Sequence, residues 1–227
     1  MLEYAVDWHP VLLSLRVALI AVIVVIGLAL PLARLLARRE FFGKDVLEAA
    51  ITLPLVLPPS VIGYGLLMLV GKNGVIGQFL DSLGITLVFT WWAAVLASTV
   101  VAFPLMYQSA TAAFKSVDVN YEKAARTLGA GETRVFLTVT LPLAWPGILA
   151  GLVLSFARAL GEFGATLMVA GNIPGQTQTV PLAIYFAVES GDNVTAGRLV
   201  AIITVFSFAV VFWVNRWAKR HNRRDGE

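Results

Sequence analysis

Residues Val17 to Leu36, VALIAVIVVIGLALPLARLL, form a run long and apolar enough to cross a bilayer, and similar runs recur along the chain. A stretch of roughly 18 apolar residues or more reads as a transmembrane helix. Within hydrocarbon every backbone N–H and C=O needs an internal partner, which restricts such stretches to helices packed in a bundle. The chain therefore reads as an all-α polytopic membrane protein. Five spans are expected, near residues 11–36, 46–70, 85–114, 141–170 and 195–217, with residues 1–227 making one transmembrane domain. Val180 to Val188 is apolar but too short to cross, and is expected as an interfacial or re-entrant helix. The composition is 58% hydrophobic and 14% charged, against roughly 45–50% and about 25% in soluble domains. A single soluble domain is excluded.

The chain has no cysteine, which removes disulfides, thiolate catalysis and cysteine metal sites. His9 and His221 lie at opposite ends and outside the spans, so no metal or catalytic histidine is expected. The opening residues MLEYAVDWHP carry Glu3 and Asp7 but no Lys or Arg. A secretory signal starts basic, so the first run is kept as a membrane helix.

Lys and Arg mark the cytoplasmic side of a membrane protein. Arg34, Arg38, Arg39 and Lys44 follow the first span. Lys115, Lys123, Arg126 and Arg134 follow the third, and Arg216, Lys219, Arg220, Arg223 and Arg224 follow the fifth. The intervening loops carry Lys72 alone, while Arg16 and Arg198 sit at span ends, where they can snorkel outward. With five spans all three basic segments share one side, so the N-terminus is expected outside and the C-terminus in the cytoplasm.

The stretch YEKAARTLGAGETRVFLTVTLPLAWPG, Tyr121 to Gly147, is then cytoplasmic at its start. Asp118 is placed to cap a helix. Tyr121, Ala124, Ala125 and Leu128 follow at i, i+3, i+4 and i+7, on one face. Glu122, Lys123 and Arg126 lie elsewhere around the helix. Gly129 is positioned to end it in a left-handed cap. A second short helix through Val135 and Phe136 precedes Pro142 and Pro146, which open the fourth span. Spacing alone leaves two readings open: a helix lying on the membrane surface, or a docking helix for a cytoplasmic partner.

The same stretch resembles the cytoplasmic signature of ABC importer permeases, in which Glu-Ala-Ala, three residues and Gly are followed by nine residues and Ile-x-Leu-Pro. Ala124, Ala125 and Gly129 fit, Val139 stands for the Ile, and Leu141 and Pro142 follow. The signature's acidic position is Lys123, with Glu122 one residue early. LPLVLPPSVIGYGLL, VDVNYEKAARTLGAG and SFARALGEFGATLMVAGNIPG extend the likeness to the permease subunits of molybdate importers, and more loosely to sulfate permeases.

The resemblance implies the type I importer permease fold in a bacterial inner membrane. It implies a homodimer forming the pathway, a cytoplasmic ATPase dimer docked on segment 118–140, and an external binding protein delivering molybdate, with tungstate as a further cargo. Tyr121, Glu122, Ala124, Ala125, Leu128, Gly129, Leu141 and Pro142 would carry the coupling. ATP and Mg would belong to the ATPase. This chain is expected to hold no cofactor, metal or nucleic acid and to perform no catalysis. REFFGKD has Gly43-Lys44, but Arg38 and Arg39 stand where a phosphate loop needs its leading glycine, and Asp45 replaces its Ser/Thr.

Several polar or irregular positions fall within the expected spans. Arg158 and Glu162, four apart in the fourth span, share a face and can pair. An isolated charge at a bilayer centre costs about 2.5–3.5 kcal/mol on insertion scales, so both must face the bundle interior or water. They read either as a structural ion pair or as groups that attract and gate a passing dianion. Ser155 lies on the same run. Pro58, Pro59 and Ser60 break the second span, where irregular backbone is tolerated only if buried or lining a water-filled cavity. A pathway lining and a packing kink both fit. Trp91 and Trp92 read as interfacial anchors. The uncharged loop GNIPGQTQT, Gly171 to Thr179, reads as an ordinary external loop, a binding-protein contact or part of an outer gate.

Two other classes compete. A stand-alone ion-coupled transporter would need a relay, for which Arg158 and Glu162 are the sole candidates. An intramembrane aspartyl protease needs two aspartates within spans, but Asp7, Asp45, Asp81, Asp118, Asp192 and Asp225 all fall in loops.

Overall fold

The first helix, α1 (His9–Leu36), is apolar on every side. Its Leu13, Val17, Ala21, Val25 and Ala29 face the interior, while Leu19, Ile23 and Leu28 point outward and are exposed. A helix apolar all round, with only one face covered by protein, presents the other to lipid. The structure, a computed structural model, describes residues 7–222. Glu3, Arg223, Arg224 and Asp225, which entered the sequence argument, lie outside them.

Every regular element among the described residues is helical. α2 (Lys44–Thr52) runs through a 3-10 turn (Leu53–Leu55) to α3 (Pro59–Val70), and α4 (Val75–Ser82) is short. α5 (Trp91–Ser116) is the hub, packed between α1 and α8 (Leu141–Leu160). Its buried face is rich in small residues, among them Ala94, Ala97, Ala102, Ala110 and Ala113. Small residues let helix backbones approach closely where lipid removes any hydrophobic drive for helices to associate.

Between these two long helices lie α6 (Val119–Thr127) and α7 (Glu132–Val135), the latter joined to α8 through a π turn (Phe136–Thr140). The wide turn directly precedes Pro142, whose ring cannot donate to the helical ladder, and the extra residue accommodates it. α9 (Gly164–Ala170) packs on α3, and α10 (Val180–Glu189) packs on α11 (Asn193–Asn222). Ser14 Oγ of α1 accepts from the Val180 amide at 2.7 Å, which ties the start of α10 to the bundle.

Among the described residues four helices are long and apolar enough to cross a bilayer: His9–Leu36, Trp91–Ser116, Glu132–Leu160 and Asn193–Trp213. The second expected span, 46–70, is not straight: Lys44–Leu55 and Pro59–Val70 meet at 111°. The cause is local. Pro59 forces Pro58 out of the helical region, to φ −54° and ψ 139°, and neither proline donates a backbone hydrogen bond. The third span begins at Trp91 rather than near residue 85.

The fourth expected span, 141–170, is also corrected. Its helix ends at Leu160, and Gly161 to Phe163 break the chain before α9. Arg158 and Glu162 therefore lie at a helix end and in a break, not in mid-helix. The two breaks meet in space. A Cβ built on Gly164 would stand 2.8 Å from Cβ of Pro59, so the α2–α3 bend and the α8–α9 break pack together only because Gly164 has no side chain.

Candidate functional site

Segment 118–140 is assembled from local rules. Asp118 accepts from the Asn120 amide at 2.9 Å and caps α6. At the other end Gly129 adopts φ +84°. The Gly129 amide donates to Arg126 O at 2.9 Å and the Ala130 amide to Ala125 O at 3.1 Å. That pair of bonds is a Schellman motif, and its left-handed residue is glycine because a Cβ would be strained there.

α6 has two unlike faces. Tyr121, Ala124 and Leu128 are exposed, Leu128 at 89%, and Ala125 is half-buried beside them. Glu122 points the other way and is buried. Its Oε2 accepts from Arg38 Nη1 at 2.6 Å and lies 3.5 Å from Arg126 Nη2. Its Oε1 accepts from the Thr140 hydroxyl at 2.8 Å. Arg38 Nη2 also donates to the carbonyls of Val117 at 2.7 Å and Phe114 at 3.3 Å.

One carboxylate thus gathers the end of α1, the end of α5, α6 and the turn that opens α8. Arg126 in turn grips Glu132 through Nε at 2.6 Å and Nη2 at 3.1 Å, a two-pronged contact that fixes α7 against α6. Charge-assisted hydrogen bonds thus tie α6 to the ends of three long helices.

The sequence spacing places Glu122 away from the Tyr121 face, but its partners are invisible there. Arg38 reads only as a charge marker, and Thr140 carries no signal. Lys123, which occupies the signature's acidic position, is exposed, and the preceding Glu122 makes the ion pairs. Leu141 packs partly against the core and Pro142 is exposed in the first turn of α8. Neither belongs to the outward face of α6.

The polar groups expected inside the membrane separate into three environments. Among the described residues the most enclosed carboxylate is Glu162, whose side chain is 1% exposed. Its Oε2 pairs with Arg158 Nη2 at 2.7 Å, and its Oε1 accepts from the Ala165 amide at 2.8 Å, in the first turn of α9. Both charges suit their helix ends: Arg158 lies in the last turn of α8, and Glu162 before the first amides of α9. Arg158 is 31% exposed, so the pair opens on its cationic side.

Pro58, Pro59 and Ser60 are exposed at the bend. Ser155 is fully buried and donates to Ala102 O of α5 at 3.3 Å, so in this chain it sits at a helix interface. Trp91 lies against Trp92, with ring centroids 4.0 Å apart and planes tilted by 30°, and carries the Arg16 guanidinium 3.9 Å from its ring centroid.

Residues 14–224 match the model of the family described as binding-protein-dependent transport system inner membrane component. The chain belongs to this family. A putative molybdenum transport system permease protein of Bacillus subtilis is 51% identical over 91% of this chain and 92% of its own length. The molybdenum transport system permease protein ModB of Escherichia coli is 46% identical over 96% and 95%. The sulfate transport system permease protein CysT of Salmonella typhimurium is more distant, 35% identical over 86% and 70%.

Among solved structures, a chain of the MetNI methionine ABC transporter in an inward-facing form superposes with a TM-score of 0.73. It covers 95% of both chains at 16% identity, which establishes the fold. The chain is thus a multi-pass inner-membrane permease with the type I ABC importer fold. Permeases of this family are transport subunits that work with a cytoplasmic ATPase and a substrate-binding protein, and are not enzymes themselves.

Proposed function

We infer that the chain forms, as a homodimer, the pathway of an ATP-driven importer of molybdate, with tungstate as a second cargo. The observation that carries the cargo is its 51% and 46% identity to molybdenum transport permeases over nine-tenths of the chain. The weaker, 35% likeness to the sulfate permease supports molybdate over sulfate.

The two-faced α6 supports coupling. Its exposed face, Tyr121, Ala124 and Leu128 with Ala125 beside them, receives the ATPase, and the buried Glu122 passes the motion to the bundle. ATP and Mg are held by that ATPase and the dianion is delivered by an external binding protein. The arginines at the ends of α1 and α6 support an orientation with this end of the bundle in the cytoplasm and the start of α1 outside.

Uptake of labelled molybdate by cells with and without the chain tests the reading. Uptake should depend on the chain and be competed by tungstate, with excess sulfate having little effect. Uptake independent of the chain, or competed by sulfate as well as by tungstate, contradicts it.

A further inference from the structure

A groove of about 650 Å³ lies at the foot of α1, against the π turn and the start of α8. One part of its wall is apolar: Leu30, Pro31 and Leu35 from α1, and Leu141. The other part carries Arg34, Arg38 and Arg39 against a single acid, Glu132. These charges are not equally free. Both Glu132 oxygens are taken by Arg126, and the Arg38 guanidinium is turned to Glu122 and two carbonyls.

Arg34 and Arg39 differ. Among the described residues neither has a carboxylate at ion-pair distance. The Arg34 guanidinium carbon lies over the Phe136 ring, 3.7 Å from its centroid. A cation–π contact of this kind holds the guanidinium in place, and among the described residues its N–H groups make no hydrogen bond.

We propose that this groove binds the phosphodiester headgroup of an anionic phospholipid, with Arg34 and Arg39 as its donors. Charge complementarity selects an anion, and the planar guanidinium edge matches phosphate oxygens. The apolar wall selects a lipid over free phosphate, because Leu30, Pro31 and Leu35 continue the exposed apolar side of α1 and offer a bed for acyl chains. A soluble acidic segment would have to bury charge against that wall. Basic pockets between helix ends at a membrane surface are suited to such headgroups. The proposal needs only that the chain lies in a membrane, and is independent of which ion it carries.

The test is made on the full-length chain, purified with the subunits that accompany it. It is exchanged into mixed micelles of phosphatidylglycerol and phosphatidylcholine, and retained lipid is quantified by mass spectrometry. The wild type should retain phosphatidylglycerol over phosphatidylcholine by about tenfold or more. Arg34→Ala with Arg39→Ala should bring that ratio close to one, while the paired lysine replacements keep most of it. Arg39→Glu alone removes no hydrogen bond seen in the structure, so it controls for folding and should lower the ratio severalfold.

An equal ratio in the wild type, or an unchanged ratio in the double alanine variant, overturns the proposal. Displacement of the lipid by millimolar inorganic phosphate makes the groove a free-phosphate site and also overturns it. Loss of an accompanying subunit with the lipid ratio intact would assign the groove to a protein contact, against the proposal.

Discussion

Replacing Glu122 by alanine should free segment 118–140 from the bundle without unfolding the bundle. The magnitude follows from what each partner keeps. Breaking a buried ion pair costs about 3–5 kcal/mol when the surviving charge is stranded. Neither guanidinium is stranded here: Arg38 retains the Val117 and Phe114 carbonyls, and Arg126 retains Glu132. Both side chains are also more than a third exposed, at 36% and 38%. The 3.5 Å contact to Arg126 adds little.

What remains is the 2.6 Å bond to Arg38 and the acceptor lost to the buried Thr140 hydroxyl. A charge-assisted bond is worth about 1.5–3 kcal/mol. A total near 2–3 kcal/mol, after the exposure of Arg38 is allowed for, shifts the docking equilibrium by about 30- to 150-fold. Amide hydrogen exchange in micelles reads this directly. Amides of α6 should exchange faster by about that factor in Glu122→Ala, and by less in Glu122→Gln, while α5 stays protected. Unchanged α6 protection, or equal loss in α5, would refute the reasoning.

Other outcomes follow from the same geometry. Glu162→Ala should lower protein level, because it frees Arg158 and leaves the Ala165 amide without its acceptor. Arg158→Met with Glu162→Gln keeps that acceptor and removes both charges, so immunoblotting should show protein restored. Transport restored with it marks a structural pair, and protein without transport marks a pathway role, whereas normal protein in Glu162→Ala would refute the pairing. Gly129→Val places a β-branched residue at φ +84° and should cost roughly 1–2 kcal/mol of α6 order, seen as lost uptake with the spans inserted. Lys123→Ala, at an exposed position, should leave uptake near normal. A reporter fused after Glu227 should be active only in the cytoplasm, and an external signal would reverse the orientation.

Much of the architecture is legible in residue patterns. Long apolar runs mark the crossing helices, and Asp118 and Gly129 punctuate α6 because capping and left-handed backbone are local chemistry. Pro58 and Pro59 announce a break, since a missing donor and a forced ψ are properties of the dipeptide. The direction of the turn that follows is not local. Across the 111° bend Pro59 packs against Gly164, a residue far along the chain.

Hydropathy also hides the break after Leu160, since one acid in an apolar run looks like a helix residue. Its role as acceptor for the Ala165 amide depends on the helix having already ended. For α6, periodicity groups Tyr121 with Ala124, Ala125 and Leu128 but cannot say which face turns outward. That is settled by Arg38, 84 residues before Glu122 in the chain.

The most direct test of the account addresses the outward face of α6. Ala124 is exposed there, between Tyr121 and Leu128, so Ala124→Arg adds bulk and charge without touching the Glu122 contacts. The variant should be purified from cells that express the complete transporter, with molybdate uptake measured in parallel. The account predicts a chain inserted at normal level that no longer retains the ATPase and supports no uptake. A variant that keeps the ATPase and takes up molybdate at the normal rate would contradict it.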